Sequence, residues 1–207
     1  ITTKPLVLIG GGGHCKSCID VIQSKAEYHP VGIIDKKTHK KRMCLDVPVL
    51  GTDKDMEFIL TKYANALITV GQIKTSTIRE NLFKKIKAFG INLPVISSTT
   101  SHISKFSKIE EGTIIMHQSI VNAGAFVGYN NIINTMALIE HDACIGNHCH
   151  ISTGALINGG VTIGDGSFVG SGAVIHQGIK IGKHAVISAG LVIKRDVADG
   201  EIIGVNP

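Results

Sequence analysis

From Ile103 to Ile193 every sixth residue of this 207-residue chain is isoleucine or valine, at sixteen positions without exception. Gly128, Gly146, Gly164 and Gly182 mark a second clock of eighteen residues inside the first. A helix wants apolar residues about every 3.6 positions and a simple hairpin strand alternates at two, so neither accounts for a period of six. A hexapeptide repeat reads instead as a parallel β-helix, with three hexapeptides to each coil. The Ile/Val side chains point inward as β-branched columns. The fifth position of each hexapeptide is mostly small (Ser119, Ala125, Ala137, Ala143, Cys149, Ala155, Ser167, Ala173, Ala185), as a crowded corner requires. Gly128, Asn134, Asn158 and Gly170 are expected to permit the tight turns.

The first hundred residues follow a different rule. Leu6–Ile9 runs into four glycines, Gly10–Gly13, and then an amphipathic stretch from His14 to about Lys25. Val31–Ile34 and Ala66–Val70 read as further buried strands, and Leu93–Ile96 as a short last one. Thr52 is expected to cap a helix over Asp53–Lys62, and Thr75 or Ser76 to open another that Gly90 stops. Alternation of this kind predicts a small Rossmann-like parallel sheet with helices on both faces. Residues 1–100 thus form an α/β domain and residues 101–207 the β-helix.

Ligands of such sheets bind beyond the carboxyl ends of the strands. Gly10 to His14, Asp35 with Lys36, and Gly71 with Gln72 gather there. The glycines let backbone N–H groups approach an anion, and Asp35 can accept hydrogen bonds from a base or ribose hydroxyl. A dinucleotide fingerprint is incomplete, because Cys15 stands where its last glycine would be. Equally, the glycines serve a tight turn alone. Cys15 and Cys18 form a C-x-x-C at a helix start, a setting that lowers thiol pKa, but without a second pair they read as small helix residues.

Composition narrows the classes. A net charge of +5 and 18% charged residues suit a phosphate-bearing ligand, with basic residues grouped at Lys36–Arg42 and Lys84–Lys87. With 4% aromatics and no Trp, the chain is a poor nucleic-acid binder. It has no run of eighteen apolar residues and no signal-peptide pattern. Five cysteines, an odd number, suggest a reducing cytoplasm. The chain opens on Ile1 rather than Met, so its first residues are expected to be incomplete.

Ile139-Glu-His-Asp142 carries the chemistry of the coil. A carboxylate beside an imidazole fixes its tautomer and raises its basicity, as a general base requires. A solvated corner histidine is the plain alternative. His150, nine residues on, falls on another side of the same prism. A zinc site on the pattern of the gamma-class carbonic anhydrases needs three histidines: His148 and His184 stack two coils apart, but Thr153 and Ala189 stand where the third ligand is needed, so no metal is expected.

Taken together, Ile9–His14, Gly32–Asp35, Val47–Gly51, Val70-Gly71 with Arg79, Asn134–His141 and His150–Ser152 make the chain resemble the left-handed β-helix acyltransferases. It is similar to the branch holding the sialic acid O-acetyltransferase NeuD and nucleotide-sugar N-acetyltransferases such as PglD. The resemblance implies the left hand of the coil, a homotrimer, and acetyl-CoA in a groove between neighbouring prisms. It makes His141 the general base and Asp142 its partner, puts His150, Ser171 and Ala189 beside CoA, and gives Gly12, Gly13, His14, Asp35, Lys36 and Gly71 to a sugar nucleotide. Asp142 replaces a glutamate usual in the N-acetyltransferases. The chain ends at Gly204–Pro207, where relatives continue with residues that can cover CoA. The expected activity is N-acetylation of a nucleotide-linked amino sugar. O-acetylation of sialic acid or a related nonulosonate is the nearest rival, and a non-catalytic scaffold the rival of another class.

Overall fold

The computed structural model describes residues 3–36 and 43–204. Most of the basic run after Lys36, and the last three residues, lie outside them. The N-terminal sheet comprises β1 (Lys4–Ile9), β2 (Tyr28–Ile34), β3 (Met43–Cys44), β4 (Val47–Gly51) and β5 (Ala66–Ile68), in the order β3-β4-β2-β1-β5. All neighbours are parallel except β3 and β4, which form an antiparallel edge hairpin that the alternation of elements did not reveal. One face carries α1 (Gly13–Gln23), the other α2 (Met56–Leu60) and α3 (Thr77–Ala88).

Two local expectations change. Asp55, rather than Thr52, precedes α2, and its carboxylate accepts hydrogen bonds from the Thr52 amide and hydroxyl (2.8 and 2.9 Å). That turn uses up Asp53–Asp55, so the helix is shorter than its apolar pattern implied. Of Leu93–Ile96, only Ile96 enters a strand, and that strand belongs to the coil. Pro94 supplies no N–H for a ladder.

The coil contains eighteen two-residue strands, from β6 (Ile96–Ser97) to β23 (Ile202–Ile203), stacked into three parallel sheets of six, five and seven. The first face is built on β7 (His102–Ile103), the second on β8 (Lys108–Ile109) and the third on β6, each repeating every eighteen residues until β23, which follows the strand below it by sixteen. In each strand the second residue points inward. Those from Ile115 to Ile193 are buried and pack with the small fifth-position residues in one continuous core. Each such side chain contributes roughly 1.5–3 kcal/mol, and coil stacking at ~4.8 Å aligns them.

The turns follow a register the glycine clock did not show. From Gly112 to Gly190 every sixth residue has positive φ, three positions after each Ile/Val, and six of these are not glycine: Gln118, Asn130, Met136, Asp142, His148 and His184. Gly128, Gly146, Gly164 and Gly182 have ordinary φ. They are glycine because coils stack backbone on backbone there: a Cβ on Gly164 would sit 2.6 Å from the Lys183 amide nitrogen.

The N-terminal domain lies on the third face. Ile114, Met116 and Ile132 of the coil share a core with Leu6, Leu8 and Ile19. Around α3, Phe83 stacks on Tyr129 and meets the edge of His148. Among the described residues no helix is long and apolar enough to cross a membrane.

Candidate active site

Parallel order β2-β1-β5 brings three strand ends side by side, and a cavity of about 560 Å³ opens beyond them. Its walls include Gly12, Gly13, His14, Asp35, Lys36 and Gly71, but not Gln72, which the sequence grouped with Gly71. Gly12 precedes α1 in an extended conformation, and a side chain on Gly12 or Gly13 would meet nothing, so both backbones face open space. Gly11 instead abuts Asp35. Sequence reasoning missed Thr69, Asp53 and the α3 residues Ile78, Asn81 and Leu82 on the opposite wall. Ile78 is apolar yet 45% exposed, and it lines this cavity.

His14 and His150 meet behind the cavity, their ring centroids 6.4 Å apart. His150 lies on the third face in β15 (His150–Ile151) and is buried, not a solvated corner residue. Its Nδ1–H donates to the Gln72 carbonyl (2.6 Å) and its Nε2 accepts from the Asn134 amide (3.1 Å). Burial lowers its pKa to about 4 against the pull of the Gln72 carbonyl, with Arg79 adding to the depression. His14 falls to about 3 through burial first, then the charges of Arg79 and His150. Both imidazoles are therefore neutral at pH 7, and pKa values this low make them weak proton acceptors.

A second cavity of about 550 Å³ begins on the other side of His150, whose ring meets the edge of Phe168. Ser171 and Ala189 line it, with Phe168, Val186, Ile73 and Lys74. The segment Gly71–Lys74 separates the two cavities. Gly71 faces the first, and Ile73 and Lys74 face the second. Gln72 pins it between them through its carbonyl on His150 and its side-chain amide on the Gly166 carbonyl (3.1 Å).

His141 is elsewhere on the prism. It follows β13 (Leu138–Ile139) at the corner between first and second faces, across the prism from the third face. Asp142, at φ 60°, turns its carboxylate back so that His141 Nδ1–H donates to Oδ2 at 2.9 Å. That hydrogen bond raises the His141 pKa, and the charges of Asp142 and Glu140 raise it further. Glu140 accepts from the His141 amide (3.1 Å) and from Asn122 (2.9 Å). Nε2 is left as the basic atom. Its ring lies against Gly159, one coil on, where a Cβ would come within 2.7 Å of Cε1 and Nε2. The eighteen-residue spacing from His141 would have pointed to Gly159.

The remaining candidates are structural. Cys15 and Cys18 are fully buried, and burial pushes Cys15 up to about 12 and Cys18 higher still, so the helix start does not activate them. His148 accepts a hydrogen bond from Asn130 (2.8 Å) within its aromatic cage.

Comparison with known proteins agrees with this build. Residues 5–86 match the PglD N-terminal domain family, and residues 160–195 the hexapeptide repeat of succinyl-transferase. PerB from Caulobacter crescentus, solved with CoA and GDP-perosamine, is 29% identical with a TM-score of 0.90, covering 96% of this chain and 92% of that one. The acetyltransferase domain of PglB from Neisseria gonorrhoeae FA1090, solved with acetyl coenzyme A, is 28% identical with a TM-score of 0.87, covering 99% and 98%. WeeI from Acinetobacter baumannii AYE shares the fold at 23% identity, with a TM-score of 0.84 over 99% and 98%. No curated protein sequence matches the chain. Fold and repeat together define a hexapeptide-repeat acetyltransferase. More particularly, the chain joins a PglD-type N-terminal domain to that coil, the build of PerB and PglB.

Proposed function

We propose that this protein transfers the acetyl group of acetyl-CoA to the amino group, at C4, of a nucleotide-linked amino sugar, and that it works as a cytoplasmic homotrimer. The observation that carries this reading is the pair of cavities divided by Gly71–Lys74: one beneath a glycine turn and helix start suited to a diphosphate, the other along the coil corners. PerB, similar over nearly the whole chain, was solved with both kinds of ligand. Acetyl-CoA is assigned to the second cavity, against Ser171, Ala189 and the edge of His150. The nucleotide is assigned to the first, with Gly12, Gly13 and His14 at the phosphates, and Asp35, Lys36 and Gly71 around the nucleoside.

The base then comes from a neighbour, because His141 lies across its own prism from both cavities. The outward residues of the first face support such assembly. Ile120, Leu138, Leu156, Val174 and Val192 stack in register as an apolar column, and Val192 is 52% exposed. A second copy of the chain is the occupant that fits, since cyclic packing carries one protomer's corner to the next protomer's cavity.

In the reaction His141 Nε2 takes a proton as the sugar nitrogen bonds to the thioester carbonyl carbon. The C–S bond breaks, and the CoA sulfur leaves with a proton. The Asp142 hydrogen bond stabilises the imidazolium formed on the way. Base catalysis contributes roughly 10²–10⁴-fold, and alignment of the two substrates supplies much of the remainder.

The test is CoA release from acetyl-CoA with a panel of UDP-, GDP- and dTDP-4-amino sugars and free sialic acid. Release with an amino sugar is expected, and His141→Ala should lose almost all turnover while keeping its fold by circular dichroism. Release with sialic acid alone would assign O-acetylation. No release with any acceptor would favour a scaffold. A His141→Ala variant within a few-fold of wild type would remove that residue from the role.

A further inference from the structure

Among the described residues Arg79 is the only lysine, arginine, aspartate or glutamate that is buried, at 1% exposure. It sits in α3 beneath the first cavity. Nη1 donates to the carbonyls of Ile68 (3.2 Å) and Val70 (2.8 Å), and Nη2 to the carbonyl and side-chain oxygen of Asn130 (2.8 Å each). Nε has no partner. All its acceptors are neutral, and among the described residues no carboxylate pairs with it. Burial brings its pKa down only to about 10, so the charge persists at neutral pH.

Such a charge is expensive. Taking an ion out of water without a counter-ion costs several kcal/mol even after relaxation. Stapling β5 to the coil needs donors, not a charge, so the staple alone leaves the cation unexplained. The cavity supplies a reason. Val70, which accepts from the guanidinium, and Thr69 beside it are part of the cavity wall. Among the described residues the cavity's ionisable lining is Asp35, Asp53 and Lys36 besides His14, and two carboxylates against one ammonium would repel an anion. A buried cation one residue behind the wall cancels that negative excess, and being buried it is little screened by salt.

We propose that Arg79 is the fixed counter-charge for the diphosphate of the nucleotide-linked substrate, acting through the Thr69–Gly71 wall without touching the ligand. It is a specificity-determining and positioning residue, and the assignment rests on the nucleotide-sugar reading above. The bound diphosphate completes an ion pair that the free protein holds half-made.

Calorimetric titration of UDP, GDP and dTDP, with acetyl-CoA as control, tests this on wild type, Arg79→Met, Arg79→Lys and Asn130→Asp. Asn130→Asp is the sharpest variant: it keeps the oxygen that Arg79 holds and places a negative charge on it, neutralising the guanidinium without removing it. Asn130→Asp and Arg79→Met should weaken the preferred diphosphate about tenfold or more and leave acetyl-CoA affinity unchanged, while Arg79→Lys keeps most of the binding. Unchanged diphosphate binding in Asn130→Asp would overturn the inference, even where Arg79→Met fails to fold. So would a parallel fall in acetyl-CoA affinity, because a broken staple disturbs the segment that walls both cavities. A wild type that binds none of the three diphosphates would instead bring down the nucleotide-sugar reading itself, and this inference with it.

Discussion

Asp142 differs from its neighbours along the coil in doing two jobs with one conformation. The corner requires positive φ there, which aspartate tolerates better than most residues, and the same turn swings its carboxylate onto His141 Nδ1. The consequence for pH follows from the direction of the shift. His141 acts as a base only when neutral, so kcat/KM falls on the acid side through its pKa, which Asp142 holds above the ordinary value. Asp142→Asn removes that support: the acid limb should move to lower pH, and the plateau should drop because a weaker base accepts the proton less readily. A pH–rate profile measures both. A limb that stays in place would mean that another group titrates. This pair was legible in the sequence, since adjacent acid and imidazole need no fold to meet. His150 was less so: its burial depends on Gln72, seventy-eight residues away, and on a domain contact no local pattern reports.

At the scale of the element, the six-residue clock made the coil readable before any coordinate. Each inward Ile or Val repeats one packing solution, and sixteen repetitions leave little freedom. The glycines were harder to read, because the same residue serves two unrelated needs. At the corners it relieves positive φ, and in the stacked column it removes a Cβ that would strike the next coil. Gly159 belongs to neither group. Its φ is ordinary, and the atoms a Cβ would strike are those of the His141 ring, an exposed side chain free to swing away. Gly159→Ala should therefore leave thermal stability nearly unchanged and reduce kcat by about tenfold or more, as displacement of a reacting group by about an ångström can. Gly164→Ala is the contrast, since its Cβ meets backbone that cannot give way, and its loss should appear in stability. Equal effects on kcat from both variants, after correction for folded fraction, would sink the reading of Gly159. The short edge hairpin escaped the sequence for a related reason: two-residue strands such as Met43–Cys44 carry too little pattern to register.

Over the whole molecule, the prism sets a division of labour that one chain cannot satisfy. The N-terminal domain, both cavities and His150 gather on the third face, and His141 stands at the opposite corner. If the base reaches its substrate only across a subunit boundary, two different lesions should complement each other. His141→Ala spoils the base a protomer lends, and Asp35→Ala spoils the cavity it keeps. Each homotrimer alone should be inactive. Unfolded gently, mixed in equal amounts and reassembled, they should regain about a quarter of the wild-type sites, because in a cyclic assembly that fraction of boundaries pairs an intact cavity with an intact histidine. Recovery should vanish when both lesions are placed on one chain and mixed with neither parent. It should also fail when Leu138→Asp and Leu156→Asp break the apolar column, with sedimentation showing monomers. Recovery absent from correctly assembled mixed trimers would mean that base and cavity meet within one protomer, and the division read from the fold would have to be abandoned.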